Sequence, residues 1–268
     1  MIRAAALVSL LMSLPAAARE VTSNALDDPA TYAGAEIVLL GEVHDNPVHH
    51  ARQAEAVRAI APKAVVWEML TPDAEVDPAL IGDPDALGAA LGWADSGWPD
   101  FAMYAPIFAA APDAAHRGAA LTANGIRLAV EDGAASPLGA GAIPLGLDQP
   151  LPPAEQAAGE ALQAEVHCGM MPEDMLAGMV EVQRARDGAL ALTALAALEE
   201  HGPPVAVILG NGHAEAGAVP ALVERARPGT AVLALGQLES AADAEVPYDL
   251  WARADAPARE GDPCDRLR

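Results

Sequence analysis

Five short apolar runs, separated by longer segments of helical spacing, limit what this chain can fold into. The runs are AEIVLL (35–40), AVVW (64–67), IRLAV (126–130), VAVILG (205–210) and AVLALG (231–236). None has the polar alternation of a half-exposed strand, so each reads as a strand buried on both faces. PVHHARQAEAVRAI, EDMLAGMVEVQRARDGALALTALAALEEHG and EAGAVPALVERARPG read as helices, the second stopping at Gly202 and two prolines. Short strands alternating with helices imply βαβ units: an α/β fold with an open, mainly parallel sheet and helices on both faces. Residues 71–112, with Trp93, Trp98, Phe101 and Tyr104, read as a helical insertion after the second strand. At 268 residues and 52% apolar content, with no break in composition, residues 19–268 read as a single α/β domain.

Open parallel sheets place their chemistry beyond the carboxyl ends of the strands. Two of the runs lead into the same arrangement there. IVLLGEVH carries Gly41-x-x-His44, and VAVILGNGH carries Gly210-x-x-His213. Glycine permits a tight turn, and the imidazole then projects from the strand-to-helix junction. Pro47 suits the first turn of the following helix, with Asp45 or Asn46 as its cap. If the two strands are neighbours, His44 and His213 face one site. Glu42 lies in the same turn as His44, and Glu68 follows the second strand. Glu42, His44, Glu68 and His213 together would suit zinc or manganese, and such a metal would activate water for hydrolysis with a carboxylate as general base. Asn46, Asn211 and Gln183 are candidates to orient these groups, and Arg186 and Asp187 are expected to pair with each other. His49 and His50 belong to the helix, one facing the site and the other at the surface. His116, His167 and His201 have no ligand-like spacing and read as structural. The glycine-rich stretches fail as nucleotide sites: GNGHAEAG has Glu215 where a third glycine is required, and neither GxxxxGK[ST] nor GxSxG occurs.

Aromatics make up only 3% of the chain, yet WADSGWPDFAMYAPIF holds two of the four tryptophans and both phenylalanines. Core packing and the lining of a flat apolar pocket are both open for this cluster, and a tyrosine oxygen is one kind of haem-iron ligand. HCGMMPEDMLAGM adds four methionines, side chains that adapt to a large planar ligand or fill a core. Fifteen Lys+Arg against 38 Asp+Glu give a formal charge of −23, a field that repels nucleic acid and anionic membranes. Neither is an expected partner. MIRAAALVSLLMSLPAAARE reads as a secretory signal over residues 1–18, cleaved near Ala18, with an apolar run too short to span a bilayer. The mature chain is therefore expected in the periplasm or secreted, with no integral membrane segment. In such a compartment Cys168 and Cys264 read as one disulfide, two free buried thiols being the alternative.

The pieces LLGEVHDNPVHH, VVWEM, W…GWP…Y.PIF, ANGIRL, HCGMM…M…M…Q.ARD and ILGNGHA…GAVPALV, in that order, span nearly all of the chain after the signal. Together they resemble the ChaN-like, haem-binding uptake branch of the Tiki superfamily. The resemblance implies an α/β fold with two GxxH-type motifs, here His44 and His213, and exported bacterial proteins associated with haem or iron uptake. It implies haem as the cofactor, with Tyr104 and His44 as candidate iron ligands, Trp98 in the aromatic segment covering the porphyrin, and Arg127 as a candidate for a propionate. Haem or another small molecule, the haem-uptake machinery and a second copy of the chain are the candidate partners. More distant members are metal-dependent hydrolases with similar histidines and glutamates, which keeps the hydrolase alternative in view. The chain departs from lipoprotein members in lacking a lipid-acceptor cysteine.

Overall fold

The computed structural model describes residues 18–240, 246–259, 261 and 264. The expected leader therefore lies outside the described residues, apart from Ala18. The strands are β1 (Arg19–Glu20), β2 (Ile37–Glu42), β3 (Ala64–Trp67), β4 (Ala115–Gly118), β5 (Val205–Gly210), β6 (Val232–Leu238) and β7 (Leu250–Arg253). They form one sheet in the order β1-β7-β6-β2-β5-β3-β4, and every pairing in it is parallel. Because each crossover returns to the same end of the sheet, the helices α1 (Ser23–Leu26), α2 (Pro47–Ile60), α3 (Pro84–Ala90), α4 (Phe101–Ala110), α5 (Ala123–Asp132), α6 (Ala142–Leu145), α7 (Pro153–Val166), α8 (Glu173–His201), α9 (Asn211–Ala214) and α10 (Val219–Ala226) pack over it.

The alternation of the pleat divides the core in two. Val38, Leu40, Val65, Trp67, Ala206 and Ile208 point to the face covered by α2 and α4, while Ile37, Leu39, Val66, Val205, Val207 and Leu209 point to the face covered by α5, α8 and α10. Central strands buried on both sides need continuous apolar runs, and that is why these runs stood out in the sequence. The insertion between β3 and β4 holds α3 and α4, and most of its aromatics are core. Trp67 stacks on Phe108 with ring centroids 3.9 Å apart, and Trp93 packs against Phe101 and Tyr104. Cys168 and Cys264 form a disulfide.

One of the five expected strands is a helix. IRLAV lies within α5, where Thr122 caps the amino end by accepting a hydrogen bond from Gly125 N–H. A five-residue apolar run fits one face of a helix as well as a strand, and here the cap and the packing against α8 decide. The fourth strand is instead AHRG at the sheet edge, paired with β3 from Ala64↔Ala115 to Trp67↔Gly118. It has no apolar pattern to announce it, since its first three residues are only half-buried. The register in the middle of the sheet sets the site. Glu42 of β2 lies opposite Gly210 of β5, and Trp67 of β3 opposite Ile208. Both glycine-histidine turns and Glu68 thus emerge at one end of three adjacent strands.

Candidate functional site

The turn after β2 is held from several sides. The Asn46 side chain caps α2 by accepting from Val48 N–H at 3.0 Å and donates to Glu239 Oε1 at 2.9 Å. Pro47, with no N–H to satisfy, takes the first helical position. Both histidines of the first turn of α2 are buried, which corrects the expectation that one lies at the surface. His49 Nδ1 accepts the Val43 N–H at 2.9 Å, and burial pushes its pKa down to about 4, so it serves as a neutral acceptor. His50 Nε2 donates to the His44 carbonyl at 2.8 Å, and its Nδ1 stands 3.3 Å from Glu42 Oε2. The amides of Gln53 and Gln237 donate to the carbonyls of Leu40 and Gly41.

Glu42 is the hub of this layer. Its Oε1 accepts from His44 Nδ1 at 2.7 Å and from the Tyr104 hydroxyl at 3.0 Å. Burial alone would raise its pKa, but the hydrogen bonds and charge of His44 and His50 outweigh that and lower it. His44 is shifted the other way: burial opposes its charge, while Glu42 and Glu68 favour the imidazolium and raise its pKa.

A matching arrangement stands on the other side of Glu68. His213, in α9, hydrogen-bonds through Nδ1 to Asp187 at 2.5 Å and turns Nε2 toward Glu68 Oε1 at 3.3 Å. The Gln183 amide lies 3.2 Å from the same Nδ1. Glu68 Oε2 accepts from Gly210 N–H at 2.7 Å and lies 3.9 Å from His44 Nε2. Burial disfavours charge on both Glu68 and His213, but their mutual contact and Asp187 prevail, holding the carboxyl down at about 2 and the imidazole up at about 10. Each imidazole therefore has its Nδ1 held by a carboxylate and its Nε2 turned toward Glu68, so both histidines do meet in one site.

Family comparison supplies the next observation. A family model described as haem-binding uptake, Tiki superfamily, ChaN matches residues 30–223, more than half of the 268 residues. The chain belongs to the ChaN family. Among solved structures, one titled "Cofacial heme binding to ChaN of Campylobacter jejuni" superposes with a TM-score of 0.61 at 19% identity, covering 83% of this chain and 89% of that one. The type III effector HopBA1 matches with a TM-score of 0.43 at 14% identity, over 85% and 92% of the two chains. Likeness at such identity speaks to the fold alone. No curated protein matches.

In this ChaN-family chain the structure sorts the expected site residues into layers. Glu42, His44, Glu68 and His213 are brought together, but not as a metal cage: among the described residues no group of three or more His, Cys, Asp or Glu side chains is arranged to hold an ion. The physical reason is that most of their polar atoms, His44 Nε2 excepted, are committed to one another. Glu42 serves His44 and Tyr104, Glu68 serves Gly210 and faces His213, and Glu42 lies a layer below the others. Tyr104 is fully buried beneath that layer, its hydroxyl given to Glu42. Arg127 sits on the exposed side of α5, bonded to Glu131 and Asn124. Trp98, by contrast, lies beside His44 with ring centroids 4.8 Å apart. Asn211 braces β6 through both the N–H and the carbonyl of Gln237, and the Gln183 amide lies beside the His213 imidazole, whose Nδ1 is given to Asp187. The expected Arg186–Asp187 pair does not form; Asp187 is committed to His213. His116 accepts from Trp67 Nε1, His201 contacts Arg117, and His167 hydrogen-bonds to the Gln163 carbonyl, all outside the site. Sequence reasoning named Gln183 as an orienting residue but missed Asp187, which it paired with Arg186; the four-residue spacing of the two on α8, one helical face, was the available signal. The methionine-rich stretch also lies elsewhere: Met175 precedes Asp187 by twelve residues, about 18 Å along the helix.

Proposed function

We propose that this ChaN-family chain is an exported haem-binding protein of haem uptake, with His44 as the iron ligand and Trp98 beside the porphyrin. The observation that carries this reading is the state of the His44 imidazole. Its side chain is 33% exposed, against 0% for Glu42, 10% for Glu68 and 7% for His213. Its Nδ1 is fixed by Glu42, while Nε2 makes no hydrogen bond among the described residues and has only the Glu68 carboxylate 3.9 Å away. A β-carbon at Gly210 would stand 2.8 Å from Nε2, so the glycine leaves that nitrogen its space. A histidine oriented by a carboxylate on one nitrogen and open on the other is prepared to ligate. Haem supplies an iron that accepts such a nitrogen. Tyr104, the other candidate, has its oxygen committed and buried.

Haem binding by a solved ChaN relative supports the reading. Export is supported by β1, which opens at Arg19 directly after the expected cleavage point, and by the disulfide, which suits an oxidising compartment. Among the described residues no helix is long and apolar enough to cross a membrane. The test is a hemin titration of the purified mature chain. Wild type and Tyr104→Phe should give the same Soret band, and His44→Ala should lose or shift it. A His44→Ala spectrum identical to wild type would overturn the assignment.

A further inference from the structure

Arg186 has no ion pair or hydrogen bond among the described residues, although acids outnumber Lys+Arg by 38 to 15 in this chain. Arg117 pairs with Glu200, Arg127 with Glu131, Arg184 with Glu181, and Arg259 with Asp45 and Glu239. Arg19, Arg58, Arg225 and Arg227, like Arg186, form no salt bridge among the described residues, and of these unpaired arginines Arg186 is the one that lines a groove with Trp98. The neighbouring carboxylate, Asp187, is taken by His213. Helix periodicity explains the split. Residues 183 and 187 face His213, while 186 and 190 share the adjoining face. That face lines a groove of about 320 Å³ between α8 and the insertion, whose apolar walls include Met69, Trp98, Leu121, Ile126 and Leu190. Glu68 is the acid in its lining, and both of its oxygens are occupied, one by Gly210 N–H and one facing His213. The groove thus pairs apolar walls, one of them an indole, with a single lining cation whose guanidinium is forked onto no carboxylate among the described residues and feels the charge of Asp187, which is itself bonded to His213. Trp98 joins it to the His44 imidazole.

We propose that this groove is a carboxylate-recognising subsite, in which Arg186 binds the acid group of a flat apolar ligand lying against Trp98. A guanidinium presents a planar fork that matches a carboxylate, and half-burial among apolar walls strengthens the contact over one in open water. The identity of the ligand as haem, whose propionates Arg186 would then hold, rests on the function proposed above; the subsite itself rests on the groove.

Quenching of the native tryptophan fluorescence of the mature chain tests it without iron. The probes are iron-free protoporphyrin, its dimethyl ester, and pyrenebutyrate as a flat carboxylate unrelated to porphyrin. Wild type should bind the porphyrin diacid roughly tenfold to a hundredfold more tightly than the ester, the scale of one charged hydrogen-bonded contact. Arg186→Gln should reduce the diacid to the affinity of the ester while leaving the ester unchanged, and Arg186→Lys should keep part of the preference. If iron ligation by His44 is wrong, the hemin spectrum will ignore His44→Ala while the acid-over-ester preference and its dependence on Arg186 persist. If porphyrins do not bind at all, Arg186-dependent binding of pyrenebutyrate still supports the subsite. Equal affinity for acid and ester in wild type, a preference that survives Arg186→Gln, or no Arg186-dependent binding of any probe overturns it.

Discussion

Gly210→Ala adds one methyl group at the point where the site leaves His44 its space. The backbone at Gly210 has φ −65° and ψ 150°, a conformation any residue adopts, so no dihedral strain arises. Loss of glycine freedom in the unfolded chain favours the variant by about 0.4–1 kcal/mol. The new β-carbon meets His44 Nε2 at 2.8 Å and Cε1 at 3.2 Å, roughly 0.6 Å inside ordinary contact at the nearer atom. Those atoms are the tip of a partly exposed side chain that can swing toward solvent, but swinging stretches the 2.7 Å bond to Glu42. That bond, to a charged group, is worth about 1.5–3 kcal/mol. If the bond is lost outright, the balance is a net destabilisation of about 0.5–2.6 kcal/mol, and thermal unfolding should fall by roughly 1–10 °C. Ligation should not be spared: hemin affinity should fall by about tenfold or more as Nε2 is covered and the ring displaced. Calorimetry and a Soret titration on the same preparation read both quantities. Gly41→Ala is the contrast, because its β-carbon would strike the Leu235 carbonyl at 2.8 Å and Asn211 Oδ1 at 2.5 Å. A backbone neighbour cannot swing away, and about 1–3 kcal/mol of stability should be lost. If Gly210→Ala keeps wild-type hemin affinity, the reasoning about the space around Nε2 is refuted.

Tyr104→Phe removes a buried donor to Glu42 and should cost about 1 kcal/mol in denaturant unfolding; no measurable loss would show that Glu42 does not depend on the phenol. The Glu68–His213 contact sets a pH window. The raised His213 pKa contributes stability that is complete below 6.5 and lost as pH rises through about 10, while the lowered Glu68 pKa contributes stability present above 4.5 and lost as pH falls through about 2. The melting temperature should therefore be greatest from pH 4.5 to 6.5, and His213→Gln should flatten the alkaline side of the profile; an unchanged alkaline limb counts against the pair. Cys168→Ser opens a bridge between residues 96 apart and should lower stability by about 2–5 kcal/mol with hemin affinity unchanged. A matching loss of affinity would mean that the bridge also shapes the site.

By itself the sequence determined the layers of the fold and the end of the sheet where its chemistry gathers. AVVW and VAVILG are strands as read, because strands buried on both faces leave no room for polar residues, and the paired glycine-histidine turns mark where those strands stop. It did not determine IRLAV, where five apolar residues satisfy either period until Thr122 and α8 choose the helix, or AHRG, an edge strand with one partner and little to bury. Nor could it rank the site residues. His44 and Tyr104 are both candidate ligands on paper, yet packing sends Tyr104 under Glu42 and leaves His44 partly open. Arg186 and Asp187 are adjacent in the chain and should attract each other, but a helix turns consecutive side chains about 100° apart. One is delivered to His213 and the other to the groove. Local pattern follows from backbone geometry and solvent exclusion, which act over a few residues. Accessibility and partnership depend on which of several competing neighbours the assembled sheet and helices bring within reach of each donor, and no short stretch of chain contains that information.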